Sequence, residues 1–152
     1  METDQEISQA EYQALAEFRY QVRRFLHFSE QAARSVGLEP QQHQLLLALK
    51  GLPGGRMATV GELAERLQIQ HHSTVELIDR MVERGLILRN RDENDQRRVL
   101  IHLTLQGEEV LRGLSLLTRT ELRSTGPALV RTLNALTDNN NDHHPARDDW
   151  NS

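Results

Sequence analysis

The stretch "RDENDQRRVLIHLTLQG", Arg91 to Gly107, decides how this chain is read. Its polar run "DENDQ" holds residues that tolerate tight turns. Beyond it, Val99, Ile101 and Leu103 alternate with Arg98, Leu100 and His102. That is the two-residue period of a half-buried strand. Upstream, "LILRNR" (86–91) is a second β-rich run. The two runs predict a β-hairpin with Arg97 and Arg98 beside its tip.

Adjacent arginines at a hairpin tip are unexpected in a chain of 152 residues with a formal net charge of −4. The acidity, however, sits at the ends. Glu2, Asp4, Glu6 and Glu11 open the chain, and Asp138, Asp142, Asp148 and Asp149 close it against Arg147. Residues 12–137 carry 17 basic against 14 acidic side chains, a net +3. All the basic residues but Lys50 are arginine. Their planar forks suit phosphate and guanine.

The length fits one domain with a modest core. The chain has no cysteine, which excludes disulfides, thiolate metal sites and a cysteine nucleophile. The opening "METDQEISQA" is acidic and lacks the apolar stretch of a signal peptide. No apolar run approaches the roughly 20 residues of a membrane span. The expectation is a soluble, cytoplasmic protein with no membrane partner.

Working outward, Ile7, Leu15, Phe18, Val22, Phe25 and Leu26 recur at helical spacing and predict a first helix over 7–35, closed by Gly37. It holds five of the six aromatic residues (Tyr12, Phe18, Tyr20, Phe25, Phe28), more than one buried stripe needs. Some of them must meet a second surface. Pro40 suits the first turn of a second helix, and "LPGG" (52–55) breaks the chain. Thr59 and Glu62 have the spacing of a capping box for a third helix, 60–67. The fourth helix carries Val75, Ile78 and Met81 and stops at Gly85; Gln70 and Ser73 are both candidate starts. Thr104 can cap a fifth helix to about 124. Gly126-Pro127 then predicts a break before a short sixth helix. The tail, 138–152, has no periodicity and reads as disordered.

Helix, short turn, helix and hairpin within 59–104 is the layout of a winged helix-turn-helix. The predicted fold is mainly α, with about six helices and a β-hairpin wing. Val60, Leu63, Ala64, Leu67, Val75, Ile78 and Met81 would bury the contact between the two central helices. Gln70, His71, His72, Ser73, Thr74, Glu76 and Arg80 are left on or near the outer face of the second. In such folds that helix enters the major groove of double-stranded DNA. The wing tip can then reach the narrow, strongly negative minor groove. Arg97 is the expected inserted residue, oriented by Asp95, with Arg89, Arg91 and Arg98 nearer the phosphates.

These residues resemble the MarR family of transcriptional regulators. "NDQRRVLIHLTLQG" is similar to the family's wing, Asp-x-Arg followed by a strand ending Leu-Thr-x-x-Gly, here Asp95, Arg97, Leu103, Thr104 and Gly107. "HHSTVELIDRMVERGLI" resembles its recognition helix, and "GLEPQQHQLLLAL" the stretch before it. The resemblance covers roughly 8–137. It implies a homodimer on a pseudo-palindromic operator, with 7–35 and 105–137 as dimerisation helices and 38–104 as the DNA-binding lobe. It also implies a regulator, expected to be a repressor, released by a small aromatic or phenolic effector. Phe18, Tyr20, Arg23, His27 and His43 are the candidate ligand residues. The His71-His72 pair departs from the small or acidic residues common in the family at that place.

Blander readings stand beside these. A basic hairpin can be a solvated loop. The first-helix aromatics suit dimer packing as well as a pocket, and Arg19, Arg23 and Arg24 suit intersubunit ion pairs. His27 and His43 can be ordinary core or surface histidines. Adjacent histidines lack the three- or four-residue separation of helical zinc ligands. No metal and no cofactor is expected, with a metal-sensing regulator using His27 and His43 as the variant. His143-His144 with Asp142 and Asp148 is a poor preformed metal site. A winged-helix protein-interaction module without DNA binding is the alternative. The chain has no nucleophile motif, phosphate loop or metal-ligand cluster of an enzyme.

Overall fold

Ser8 opens the first helix with a full capping box. Its Oγ accepts from the Glu11 N–H (3.1 Å), and Glu11 Oε2 accepts from the Ser8 N–H (2.7 Å). The computed structural model describes residues 6–138. Among these, five helices and one hairpin follow in the order α1 (Gln9–Ser35), α2 (Pro40–Lys50), α3 (Val60–Leu67), α4 (His71–Glu83), β1 (Ile87–Arg91), β2 (Val99–Leu103) and α5 (Leu105–Thr137). The architecture is mainly α with one wing. The tail beyond Asp138, including His143 and His144, lies outside the described residues.

Several expectations change in detail. Pro40 does stand at the start of α2. The Thr59 cap is one-sided: its hydroxyl accepts from the Glu62 N–H (3.2 Å), while Glu62 pairs with Arg66 (3.4 Å) rather than with the cap backbone. The ambiguous start of α4 resolves to Gln70 as the capping position. The predicted break at Gly126-Pro127 is absent, and the two expected C-terminal helices are one, α5. Pro127 removes one helical hydrogen bond, at the Arg123 carbonyl. Long packing of α5 along α1 outweighs that local loss, because tertiary contact supplies most helical stability. Thr125 and Thr132 hydroxyls donate to the carbonyls of Glu121 (2.9 Å) and Ala128 (3.0 Å) on either side.

The core gathers one side chain or more from nearly every element. Leu45 and Leu46 of α2, Leu63 of α3, Ile78 and Met81 of α4, Ile87 and Ile101 of the hairpin and Leu114 of α5 are all essentially inaccessible to water. Each contributes about 1.5–3 kcal/mol by burial. The strands pair antiparallel, Ile87 opposite Leu103 and Arg91 opposite Val99. This register aims Ile87 and Ile101 inward and leaves Arg89, Arg91 and His102 exposed. The Ile101 N–H also donates to the Ala58 carbonyl (2.9 Å), stitching β2 to the segment before α3.

The base of the wing is closed by Thr104 and Gly107. Thr104 Oγ1 donates to the Gly85 carbonyl (2.7 Å) and accepts from the Gly107 N–H (3.0 Å). The Thr104 N–H donates to the Leu86 carbonyl (3.1 Å). A Cβ at position 107 would overlap that same Leu86 oxygen, so only glycine fits. The Leu-Thr-x-x-Gly stretch is therefore the joint where β2 turns into α5.

Candidate nucleic-acid interface

α4 is amphipathic, and its two faces separate cleanly. Leu77, Ile78 and Met81 face the core, while His71, His72, Glu76, Asp79 and Arg80 face solvent. Gln70 caps the helix and is exposed; Ser73 is half-buried. Thr74 corrects the sequence reading. It is 0% exposed, and its hydroxyl donates to the Gln70 carbonyl (3.0 Å), so it cannot face a groove. It lies one helical turn before Ile78, on the buried side.

The wing tip is built by two aspartates, of which sequence reading found one. Asp95 Oδ1 accepts from both the N–H (3.1 Å) and the Nε (3.2 Å) of Arg97. The Arg97 bonds, side chain first, hold the Asp95 carboxyl below the usual carboxylate range. The Arg97 side chain itself stays 92% exposed. The guanidinium is thus held along its Nε edge, with both Nη groups outside that contact.

Asp92 is the second organiser. It is buried; its Oδ1 accepts from the Asn94 N–H (3.0 Å), its N–H donates to the Arg98 carbonyl (2.9 Å), and its Oδ2 lies 3.7 Å from the Arg98 guanidinium. The Asp-x-Asn spacing was a signal for this side-chain turn. Its burial was not legible from a polar run.

The remaining wing arginines divide by role. Arg91 Nη1 donates to the Gln96 carbonyl (2.7 Å) and braces the tip. Arg98 is held by Asp92 and also touches Met57. Arg89 pairs with Asp79 on the exposed side of α4. That pair places β1 beside the solvent face of α4, but it occupies the charge that was expected to reach phosphate.

The candidate ligand residues scatter. Only His43 lines a cleft, one of about 370 Å³ between α2 and α5 that also exposes Leu47, Thr118, Arg119, Leu122 and Arg123. Its ring is 3% exposed, its Nδ1 has no partner, and burial lowers its pKa. Phe18 is half-buried on α1, whereas Arg23 and His27 are exposed there. Tyr20 is exposed with the Arg24 guanidinium 5.7 Å over its ring. None of these four lines that cleft.

An amphipathic helix behind a short turn, flanked by a hairpin with a braced arginine tip, defines a winged helix-turn-helix protein. Residues 36–98 match the model of the MarR family. YcgE of Bacillus subtilis (strain 168), an uncharacterized HTH-type transcriptional regulator, is 33% identical over 101 residues, covering 66% of this chain and 64% of that protein. Against the first two curated relatives the chain spans 54% and 64% of their length.

Among solved structures, AbsC, a MarR family transcriptional regulator from Streptomyces coelicolor, superposes with a TM-score of 0.69 at 20% identity, covering 86% of this chain and 91% of that one. BpsR of Bordetella bronchiseptica, whose DNA binding is regulated by 6-hydroxynicotinic acid, gives 0.60 at 21% identity over 81% and 91%. At those identities the likeness is one of fold. The chain's winged helix-turn-helix, residues 36–98, is similar to the MarR family.

Proposed function

We propose that this protein is a homodimeric, sequence-specific DNA-binding transcriptional regulator, acting as a repressor. The observation that carries the proposal is the braced, solvent-exposed Arg97 on a wing tied by Arg89–Asp79 to the exposed face of α4. His71, His72, Glu76 and Arg80 would meet base edges in the major groove, with Gln70 and Ser73 near the backbone at the helix start. Arg97 would enter the flanking minor groove, and Arg91 and Arg98 would stand close to phosphates.

Two copies are required for this geometry. Tyr12, Leu15 and Leu26 on α1 and Val130 and Leu133 on α5 are exposed apolar residues on the helices assigned to dimerisation. Burying them against a second chain would set two recognition helices about one helical turn of DNA apart. The relatives' described roles in transcription support the same reading.

The α2–α5 cleft supports release by a small aromatic acid. Arg119 and Arg123 would take its carboxylate, Leu47 and Leu122 its ring, and His43 a polar substituent. Its size falls in the range of small-molecule sites. His43 would be a ligand residue, while Phe18, Tyr20, Arg23 and His27 lie outside this cleft. Regulation of BpsR by a hydroxylated aromatic acid is the parallel.

Selection of bound fragments from genomic DNA, followed by fluorescence anisotropy on the enriched duplex, tests the function. A two-fold-related site bound tightly and with steep salt dependence is expected. Failure to enrich any sequence, with the chain folded and dimeric, would favour a protein-interaction module.

A further inference from the structure

Arg84 closes α4 and belongs to neither the recognition face nor the wing. Its Nη1 donates to the carbonyl of Gly37 (2.7 Å) and to Oε1 of Gln42 (3.2 Å). Gly37 sits in the connection between α1 and α2 with φ +78°, the left-handed region that favours glycine. Gln42 is buried, and the same Oε1 accepts from the Glu39 N–H (3.0 Å). One guanidinium therefore ties the end of α4 to the short link between α1 and the rest of the winged helix-turn-helix. Both bonds leave one nitrogen, and lysine, whose side chain is an atom shorter, would bring its ammonium less far toward the two acceptors.

We propose that Arg84 is a positioning residue for DNA recognition: it fixes the angle between α4 and α1, and with it the separation of the two recognition helices in the dimer. The inference rests on the DNA-binding reading above. Its physical basis is a population argument. Without the tie, the link at Gly37 allows several orientations of the lobe on α1. Apparent affinity for a two-half-site operator then falls by the fraction of dimers holding the right spacing. Binding to a single half-site does not need that spacing and is spared.

The experiment compares wild type, Arg84→Ala and Arg84→Lys on three duplexes: the operator, the operator with one extra base pair between its halves, and a single half-site. In parallel, spin labels at Gln13→Cys and Glu76→Cys, in a chain otherwise free of cysteine, report the α1–α4 distance after dilution with unlabelled chain. If the competent fraction drops to about a tenth, Arg84→Ala raises the operator Kd about tenfold and leaves the half-site Kd within about twofold. It also loses much of the penalty for the extra base pair, and the label distance distribution broadens. Arg84→Lys falls between, and carries the same comparison alone if Arg84→Ala does not fold.

Equal losses on operator and half-site would overturn the proposal, as would an unchanged operator Kd. If wild type binds no duplex, the DNA-binding reading fails separately. The label distances then decide, and an unchanged distribution in Arg84→Ala overturns the proposed tie.

Discussion

Replacing Gly107 with alanine puts a methyl group where the carbonyl oxygen of Leu86 already sits. The obstacle is backbone, and the same Cβ would stand 3.1 Å from the Leu86 carbonyl carbon. Leu86 is buried and its oxygen accepts from the Thr104 N–H (3.1 Å), so it cannot retreat without loosening the wing base. Overpacking of this kind costs about 1–3 kcal/mol. A weakened Thr104–Leu86 hydrogen bond adds about 1 kcal/mol. Alanine's better helix propensity returns about 0.5–1 kcal/mol. The net loss is about 1–3.5 kcal/mol, or about 2–14 °C in Tm for a chain of this size.

Gly113 supplies the control. It lies in the same helix, is exposed and would place its Cβ in open space. Gly113→Ala should raise stability by up to about 1 kcal/mol. Thermal and urea unfolding followed by circular dichroism read both variants. A Gly107→Ala protein as stable as wild type would refute the close approach of Leu86 to α5.

Other expectations follow from single contacts. Thr104→Val removes the hydroxyl bridging Gly85 and Gly107 and should cost about 1–2 kcal/mol in urea unfolding, the range of a lost helix cap. Leu15→Glu combined with Val130→Glu should convert the proposed dimer to monomer in sedimentation velocity without unfolding the chain; an intact dimer would move the interface elsewhere. Burial holds His43 below its ordinary value of 6.5, so the unfolded chain takes up the proton first as pH falls. Stability should therefore drop on acidification from 6.5 toward the lower folded value, and His43→Leu should flatten that part of the profile. A wild-type profile that overlays the variant's would show that His43 is not the titrating group.

The parts of the fold that sequence exposed were those carried by local chemistry. Alternation located β2 within a residue at each end, and Thr59 and Thr104 each cap the helix that follows. The Asp95–Arg97 contact was legible because two residues two apart in a turn can scarcely avoid each other.

What was missed depends on distant partners. Pro127 reads as a helix breaker locally, yet α1 keeps α5 continuous across it. Thr74 is polar and near a helix start, which suggests a contact residue; only its place on the core side of α4 removes it. Arg84, Gly37 and Gln42 are joined across 42 to 47 positions of sequence, and no spacing rule connects them. The ligand residues scattered for a related reason. Aromatic content marks α1 as having a second surface, but not which of its faces meets a cavity.

The central claim is that the wing and α4 read DNA together, and Arg97 is its sharpest point. The direct measurement is the Kd of wild type and Arg97→Ala for the selected operator by fluorescence anisotropy across a series of salt concentrations. The account predicts a folded Arg97→Ala dimer that binds at least about fivefold more weakly, a loss on the order of 1–3 kcal/mol, with a salt slope smaller by about 1. An Arg97→Ala dimer with wild-type affinity and an unchanged slope would contradict it.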